Sequence, residues 1–224
     1  MSWKHEVDEI EARKAFALEM GGEEGVKRQH ARGKLTVRER LDRLADKKSF
    51  TEFLGLSGNA TYAGNKLEHF TPKGSVEGYC KLHGRKVVIT AGDFTVRGGS
   101  GGTGGGLGQE LSSNRRAQEW RIPYVRLLDA SGGSVRSFEE IGRTYLPDGN
   151  VWSAVDTQIL SEIPVVSAVM GSVAGLPAIN ACMAHFNLMV KDTSQLFPGG
   201  PPVVKAALGY DITKEELGGD KVHT

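Results

Sequence analysis

One junction constrains the fold of this chain more than any other: Ile163-Pro-Val-Val-Ser-Ala-Val-Met-Gly171 runs directly into Ser172-Val-Ala-Gly-Leu-Pro-Ala-Ile-Asn180. The first half is apolar, β-branched and of strand length. The second begins with small residues and glycine and turns apolar again at helical spacing, so the pattern reads as buried strand, tight turn and helix N-terminus, with the turn beginning at Gly171. The first N–H groups of a helix have no partner inside it, and the helix dipole adds positive potential there. An oxygen carrying negative charge is therefore stabilised at such a turn. Gly175 and Leu176 are the expected donors. A plain packed βα turn is the alternative, because such turns recur throughout α/β folds.

Composition narrows the function classes. With 39% hydrophobic residues in 224, the chain has enough apolar side chains for a sizeable core. Its 28 basic and 27 acidic residues leave a net charge of +1, which gives no bulk attraction to nucleic acid or to an anionic membrane. Cys80 and Cys182 lie far apart, outside any metal-ligand spacing, and no histidine stands near a Cys, Asp or Glu at ligand spacing. No metal site is expected. The charged N-terminus lacks the apolar core of a signal peptide, and no run reaches membrane-spanning length, so a cytoplasmic protein is expected.

Residues 4–19 read as a surface helix with a weak apolar stripe, suited to an arm on a partner subunit. Lys27, Arg28, Arg32 and Lys34 form a basic run that could meet phosphate but is better read as a solvated face. Thr36 and Glu39 form a capping box for a helix whose Val37, Leu41 and Leu44 share one side. A short strand is expected at 50–56 and a polar loop at 57–72. Ser75–Leu82 and Lys86–Ala91, joined by His83-Gly84-Arg85, form a β-hairpin whose second strand runs on to Val96. Further strands are expected at Tyr124–Asp129 and Phe186–Val190. Helices are expected at 110–120, 151–163, 203–208 and 214–219, with an irregular insertion at 137–150. The strand, small-residue turn and helix sequence recurs, which indicates an α/β fold. Asp129 reads as a helix cap in preference to a ligand-positioning residue, Lys191 and Asp192 as a surface pair, and Tyr145 and Trp152 as core or interface packing residues in preference to substrate contacts.

Eight glycines fall between Gly98 and Gly108. Such a loop after a strand lets backbone approach a ligand closely, with phosphate the usual candidate. Gly99, Gly101 and Gly104 satisfy G-x-G-x-x-G, yet so many glycines match many patterns by chance. Asp129 also lies further along than the ~20 residues a dinucleotide fingerprint uses.

Six motifs then stand in order. They are His30-Ala-Arg-Gly-Lys-Leu-Thr-Val-Arg-Glu-Arg-Leu41, Gly92-Asp-Phe-Thr-Val96 with Gly98-Gly-Ser100, Asp129 with Ser131-Gly132-Gly133, Gly171 with Ala174-Gly175, Val190-Lys-Asp-Thr-Ser194, and Glu215-Glu-Leu-Gly-Gly219. Together they resemble the N-terminal half of the carboxyltransferase (β) subunit of biotin-dependent acyl-CoA carboxylases of the propionyl-CoA carboxylase kind. The resemblance implies a crotonase-like spiral of ββα units, with an N-terminal helical arm at residues 1–35 and an incomplete N-terminal carboxyltransferase domain at 36–224. It implies transfer of a carboxyl group from carboxybiotin, carried on a partner protein, to the α-carbon of a short acyl-CoA.

By the same resemblance the thioester oxygen meets Gly175 and Leu176. Coenzyme A lies along Gly98, Gly99, Ser100, Ser131, Gly132, Gly133, Ala174, Gly199 and Gly200. The implied partners are a biotin carboxylase or biotin carrier subunit, and either further copies of the chain or a complementary C-terminal carboxyltransferase half. The sequence departs from the family where Leu176 replaces a second glycine, where Arg136 falls one place late, and at His185. Because it stops at Thr224, the chain is expected to be a fragment or one part of a split enzyme holding only the acyl-CoA half of a site. A crotonase-type acyl-CoA decarboxylase and a non-catalytic CoA-binding assembly subunit are the other readings.

Overall fold

The computed structural model describes residues 3–100, 112–133, 142 and 149–224. Gly101 and Gly104, Arg136, Tyr145 and most of the 137–150 insertion therefore lie outside the described residues.

Three helices open the chain: α1 (Lys4–Leu18), α2 (Gly22–Ala31) and α3 (Val37–Leu44). The capping box of α3 is complete: the Glu39 N–H donates to Thr36 Oγ1 at 3.3 Å and the Thr36 N–H to Glu39 Oε2 at 2.7 Å. His30, then the Thr36 N–H, hold the Glu39 carboxyl down at about 2, so the cap stays ionised through mildly acidic pH. The polar loop expected at 57–72 is instead a second hairpin, β2 (Gly58–Ala63) with β3 (Lys66–Pro72). Most of its residues are exposed on both faces, so it carries no alternating pattern. Helix α1 docks on this hairpin of its own chain. The Tyr62 hydroxyl donates to Glu9 at 2.8 Å and the Phe16 ring meets His69 edge-on at 5.1 Å, which explains how so weak a stripe is held.

The main sheet has seven strands, β1 (Thr51–Phe53), β4 (Ser75–Leu82), β5 (Arg85–Gly92), β6 (Tyr124–Ala130), β7 (Val165–Ala174), β8 (Phe186–Met189) and β9 (Gln195–Phe197). Strands β1, β4 and β5 are antiparallel, and β5, β6, β7 and β8 follow in parallel. The ten-residue β7 is long enough to pair β8 with its first half and β9 with its second. His83 and Gly84 at φ 49° and 80° make the β4–β5 turn, the left-handed pair a two-residue hairpin requires. Strand β5 stops at Gly92, four residues short of the expected end, because Asp93 turns the chain by accepting from the Thr95 N–H at 3.0 Å.

Helix α3 covers one face of the sheet, over Cys80, Ile89 and Leu127. Helices α4 (Ser113–Trp120) and α5 (Gly149–Gln158) lie on the other, where Val88, Ala117 and Val165 are buried. Short helices α6 (Leu176–Cys182), α7 (Pro201–Leu208), α8 (Lys214–Gly218) and α9 (Asp220–His223) follow β7 and β9. The α8 turn closes on β9: a Cβ on Gly218 would lie 2.2 Å from the Leu196 carbonyl oxygen, so the glycine permits that approach.

The two cysteines differ sharply. Burial, with Asp46 nearby, pushes the Cys80 thiol up to about 11, whereas Cys182 is exposed. Alkylation with iodoacetamide under native conditions is expected to modify Cys182 alone, with Cys80 reacting only after denaturation. Peptide mass mapping reads the outcome.

Candidate functional site

Asp129, fully buried near the end of β6, organises the site from beneath. Lys34 Nζ reaches its Oδ1 at 2.8 Å; Arg40 Nη2 and Gln29 Nε2 reach its Oδ2 at 2.7 and 3.1 Å. The basic run thus divides. Lys27 pairs with Glu23 at 2.7 Å on the surface, but Lys34 is no solvated residue: its side chain is 8% exposed and is drawn in by the carboxylate. Asp129 is likewise not a helix cap but the counter-ion that ties α2 and α3 to the sheet. Gly171 makes room for this pair, since a Cβ there would lie 2.1 Å from Asp129 Oδ1 and 2.4 Å from Lys34 Nζ. The strand therefore runs through Gly171 to Ala174 and the turn comes at Gly175, later than the sequence pattern suggests. Gly171→Ala is expected to lower stability by about 1–3 kcal/mol in urea titration, as overpacking of a filled site does.

Above Asp129, the turns after β5, β6, β7 and β9 meet along the carboxyl edge of the parallel strands. The Ser131 N–H and Oγ–H both donate to the Gly98 carbonyl, at 2.8 and 2.9 Å, and Ser100 Oγ lies 3.4 Å from Ser131 Oγ. Gly99, at φ 69°, approaches β6 so closely that a Cβ would lie 2.4 Å from the Asp129 carbonyl oxygen. Gly132, at φ 86°, abuts the next turn: its Cβ would fall 2.9 Å from the Ala174 carbonyl oxygen. Gly133 follows in the same bend. Gly199 and Gly200 lead into α7 directly after Pro198, whose carbonyl accepts from the Gly175 N–H at 3.1 Å. The sequence-selected residues thus form one row of turns.

That last bond changes the expected donor pair. Gly175 is the N-cap of α6 with φ 69° and ψ −139°, a conformation that favours glycine, and it turns its N–H onto Pro198. Gly175 is therefore not a free donor in this structure. Leu176, the first residue of α6, keeps an N–H with no partner among the described residues.

A cavity of about 400 Å³ lies beside this edge, bordered by Gly99, Ala130, Pro177 and Asn180 and by several buried polar side chains. Sequence reasoning missed these, because single polar residues inside strands carry no local signal. Arg126, 3% exposed, donates through Nη1 to the Asn180 and Met183 carbonyls at 2.7 Å each and pairs through Nη2 with Asp156. A cation thereby fixes the C-terminal end of the helix whose first residue is Leu176. Glu77 is held by Lys73 and by the Ser113 hydroxyl. The Tyr124 phenol, pushed up to about 12 by burial, shares a 2.9 Å hydrogen bond with Thr90. Among the described residues, the carboxylates bordering the cavity are Glu77, Asp129 and Asp156, and each is committed to a cation.

The carboxyl transferase domain family matches residues 28–224. A propionyl-CoA carboxylase carboxyltransferase subunit of Haloferax mediterranei is 32% identical over all of this chain and 43% of its own length. A methylmalonyl-CoA decarboxylase subunit alpha of Veillonella parvula is 35% identical over 91% of this chain and 39% of its own. Among solved structures, transcarboxylase 12S, described as a hexamer with methylmalonyl-coenzyme A bound, aligns over the whole chain with a TM-score of 0.78 at 26% identity, using 43% of that protein. The β subunit of Pseudomonas aeruginosa geranyl-CoA carboxylase aligns over 96% of the chain with a TM-score of 0.72 at 26% identity, using 37% of that protein. The chain shares their crotonase-like α/β fold. It spans about two fifths of the length of these relatives.

Proposed function

The chain belongs to the carboxyl transferase domain family, and on that footing we propose that it supplies the acyl-CoA half of a biotin-dependent acyl-CoA carboxylase. The observation that carries this reading is the row of glycine turns ending at the Leu176 N–H, unpartnered among the described residues, beside a cavity whose described carboxylates are all engaged. Removing a proton next to a thioester creates an enolate, and its oxygen requires a pre-aimed donor. The Leu176 N–H, at the positive end of α6, meets that oxygen; the Gly175 N–H joins it only by leaving Pro198. The turns at Gly98–Ser100, Ser131–Gly133 and Gly199–Gly200 line the path of coenzyme A, with Ala174 beneath the thioester.

Carboxybiotin, brought by a carrier subunit, supplies the carboxyl group and, once relieved of it, a site for the α-proton. This division of labour fits the lining residues, since Asp156 and Glu77 hold their cations and Tyr124 keeps its proton. What the chain itself does is bind the ester, hold the thioester oxygen and orient the α-carbon. A complementary carboxyltransferase half or further copies complete the site, in a cytoplasmic assembly. Calorimetric titration with acetyl-CoA and propionyl-CoA tests the reading: saturable binding supports it, and absence of binding for both removes its basis.

A second reading has a specific observation behind it. The Veillonella relative is named as a decarboxylase subunit, and loss of CO2 from a malonyl-type CoA ester passes through the same enolate. Turnover of methylmalonyl-CoA without biotin would favour it, whereas strict dependence on biotin favours carboxyl transfer. Binding without either reaction would indicate an assembly subunit.

A further inference from the structure

We infer that Arg126 is a positioning residue for the reaction: its guanidinium sets where helix α6 stands, and through that helix where the Leu176 N–H points. The inference rests on the acyl-CoA reading and adds to it a residue that acts from beneath, through α6. Arg126 lies within β6, paired with Thr90 of β5 on one side and Ser167 of β7 on the other, and it is 3% exposed.

Helix α6 needs such a hold. It has seven residues, no side chain caps its N-terminus, and Pro177 occupies its second position. Its buried residues are Ala178 and Ala181, which pack with Val169 and Val173 of β7, while Ile179 is largely exposed. Side chains as small as alanine bury little area and offer little to resist sliding. A donor aimed at an enolate oxygen, in contrast, must keep its place to within about 0.5 Å.

The guanidinium provides what the alanines do not. Nη1 donates to the Asn180 and Met183 carbonyls, 2.7 Å each, in the last turn of α6 and at its C-cap. Nη2 is held by Asp156 of α5, itself buried, and the Tyr124 ring lies 4.9 Å from the guanidinium carbon. A carboxylate and an aromatic face thus fix the planar fork, which grips two carbonyls at the helix end.

The same strand also sets the other end of α6. Beyond Arg126, β6 leads to Gly132, whose Cβ would fall 2.9 Å from the Ala174 carbonyl oxygen, directly before Gly175. One strand therefore fixes α6 at its C-terminal carbonyls through a side chain and near its N-terminus through backbone. As core filling alone, a buried ion pair has no advantage: apolar side chains of like volume often leave stability unchanged or raise it. An apolar pair cannot, however, hold two helix carbonyls.

The test compares the wild type with the double variant Arg126→Met, Asp156→Leu, which makes the pair apolar. Arg126→Lys is the second variant, keeping a charge for Asp156 but offering one nitrogen in place of the fork. Thermal melting monitors the fold. In the assembled enzyme the double variant is expected to lower kcat for carboxyl transfer to propionyl-CoA by about 10- to 100-fold, with KM changed by less than about threefold. In the ¹⁵N-leucine-labelled chain its Leu176 amide resonance should move and respond less to propionyl-CoA. Arg126→Lys should show the same pattern with a smaller loss. A near-native melting temperature beside this loss separates positioning from support of the fold. Unchanged kcat with an unmoved Leu176 resonance overturns the inference, in the double variant or, should that fail to fold, in Arg126→Lys. A loss of kcat that only tracks falling melting temperature in both variants, or a rise in KM alone, overturns it too. Propionyl-CoA binding by the wild type leaves the acyl-CoA reading standing in each of these cases; no binding by the wild type overturns both.

Discussion

Asp129→Ala is expected to lower the unfolding free energy by about 3–5 kcal/mol, because it strands Lys34 and Arg40 inside the domain with no counter-ion. Both cations point at one carboxylate that is 0% exposed, from 2.8 and 2.7 Å. Removing it also takes one of the two acceptors of the Gln29 amide, 3.1 Å away, and leaves the Leu35 carbonyl. The loss reaches beyond one site, since these three residues join α2 and α3 to β6. Urea titration should show the midpoint falling with little change in slope.

The loss in the Asp129→Ala variant should also depend on pH in a defined direction. Burial holds the Lys34 pKa below its ordinary range, and Asp129 is the main influence pulling it back up. Without Asp129 it falls further, so the unfolded chain binds more protons than the folded one between that lowered value and the ordinary lysine range. The variant's stability should therefore rise with pH across that window, a partial recovery that leaves the contribution of Arg40 missing. A flat dependence would show that Lys34 escapes to solvent.

Leu176→Pro is expected to reduce carboxyl transfer between a short acyl-CoA and biotin by about 10²–10³-fold in kcat, equivalent to ~2.7–4 kcal/mol. The substitution deletes one atom group of interest, the N–H. Leu176 is the first residue of α6, the position where a helix tolerates proline because the N–H has no helical partner. Leu176→Ala is the matched control: it removes the same side chain, retains the N–H and should retain activity. Equal losses in both would assign the effect to the side chain and refute the donor. Measured in the assembled enzyme, the proline variant should leave the KM for the CoA ester nearly unchanged, as expected of a contact made mainly to the enolate.

What the sequence made legible was local. The Thr36–Glu39 capping box, the β4–β5 hairpin with His83-Gly84, and the strand-to-helix junction at β7 depend on residues within a few positions of one another, and each is found. The hairpin at 58–72 escaped because both its faces are largely wet and no alternation marks it. Helix α2 escaped because Gly22 and Gly25 dilute its propensity, although Gly25 is there to let Thr95 approach. The larger misreadings are all of long range. Lys34 looked solvated because its partner is 95 residues away. Gly171 looked like a turn glycine because nothing nearby reveals the Asp129 carboxylate packed against it. Gly175 looked like a free donor because the carbonyl of Pro198 reaches it from another strand's turn. The resemblance to carboxyltransferases singles out turns that the structure places side by side, but only their meeting in space shows which N–H is left over.

The most direct test of the central claim is an amide correlation spectrum of the ¹⁵N-leucine-labelled chain, titrated with propionyl-CoA and with Leu176→Ala as the assignment control. If the thioester oxygen seats at this turn, the Leu176 amide proton should shift strongly downfield on binding, while amides of leucines away from the carboxyl edge, such as Leu41, stay in place. Saturable binding with an unmoved Leu176 resonance would contradict the account.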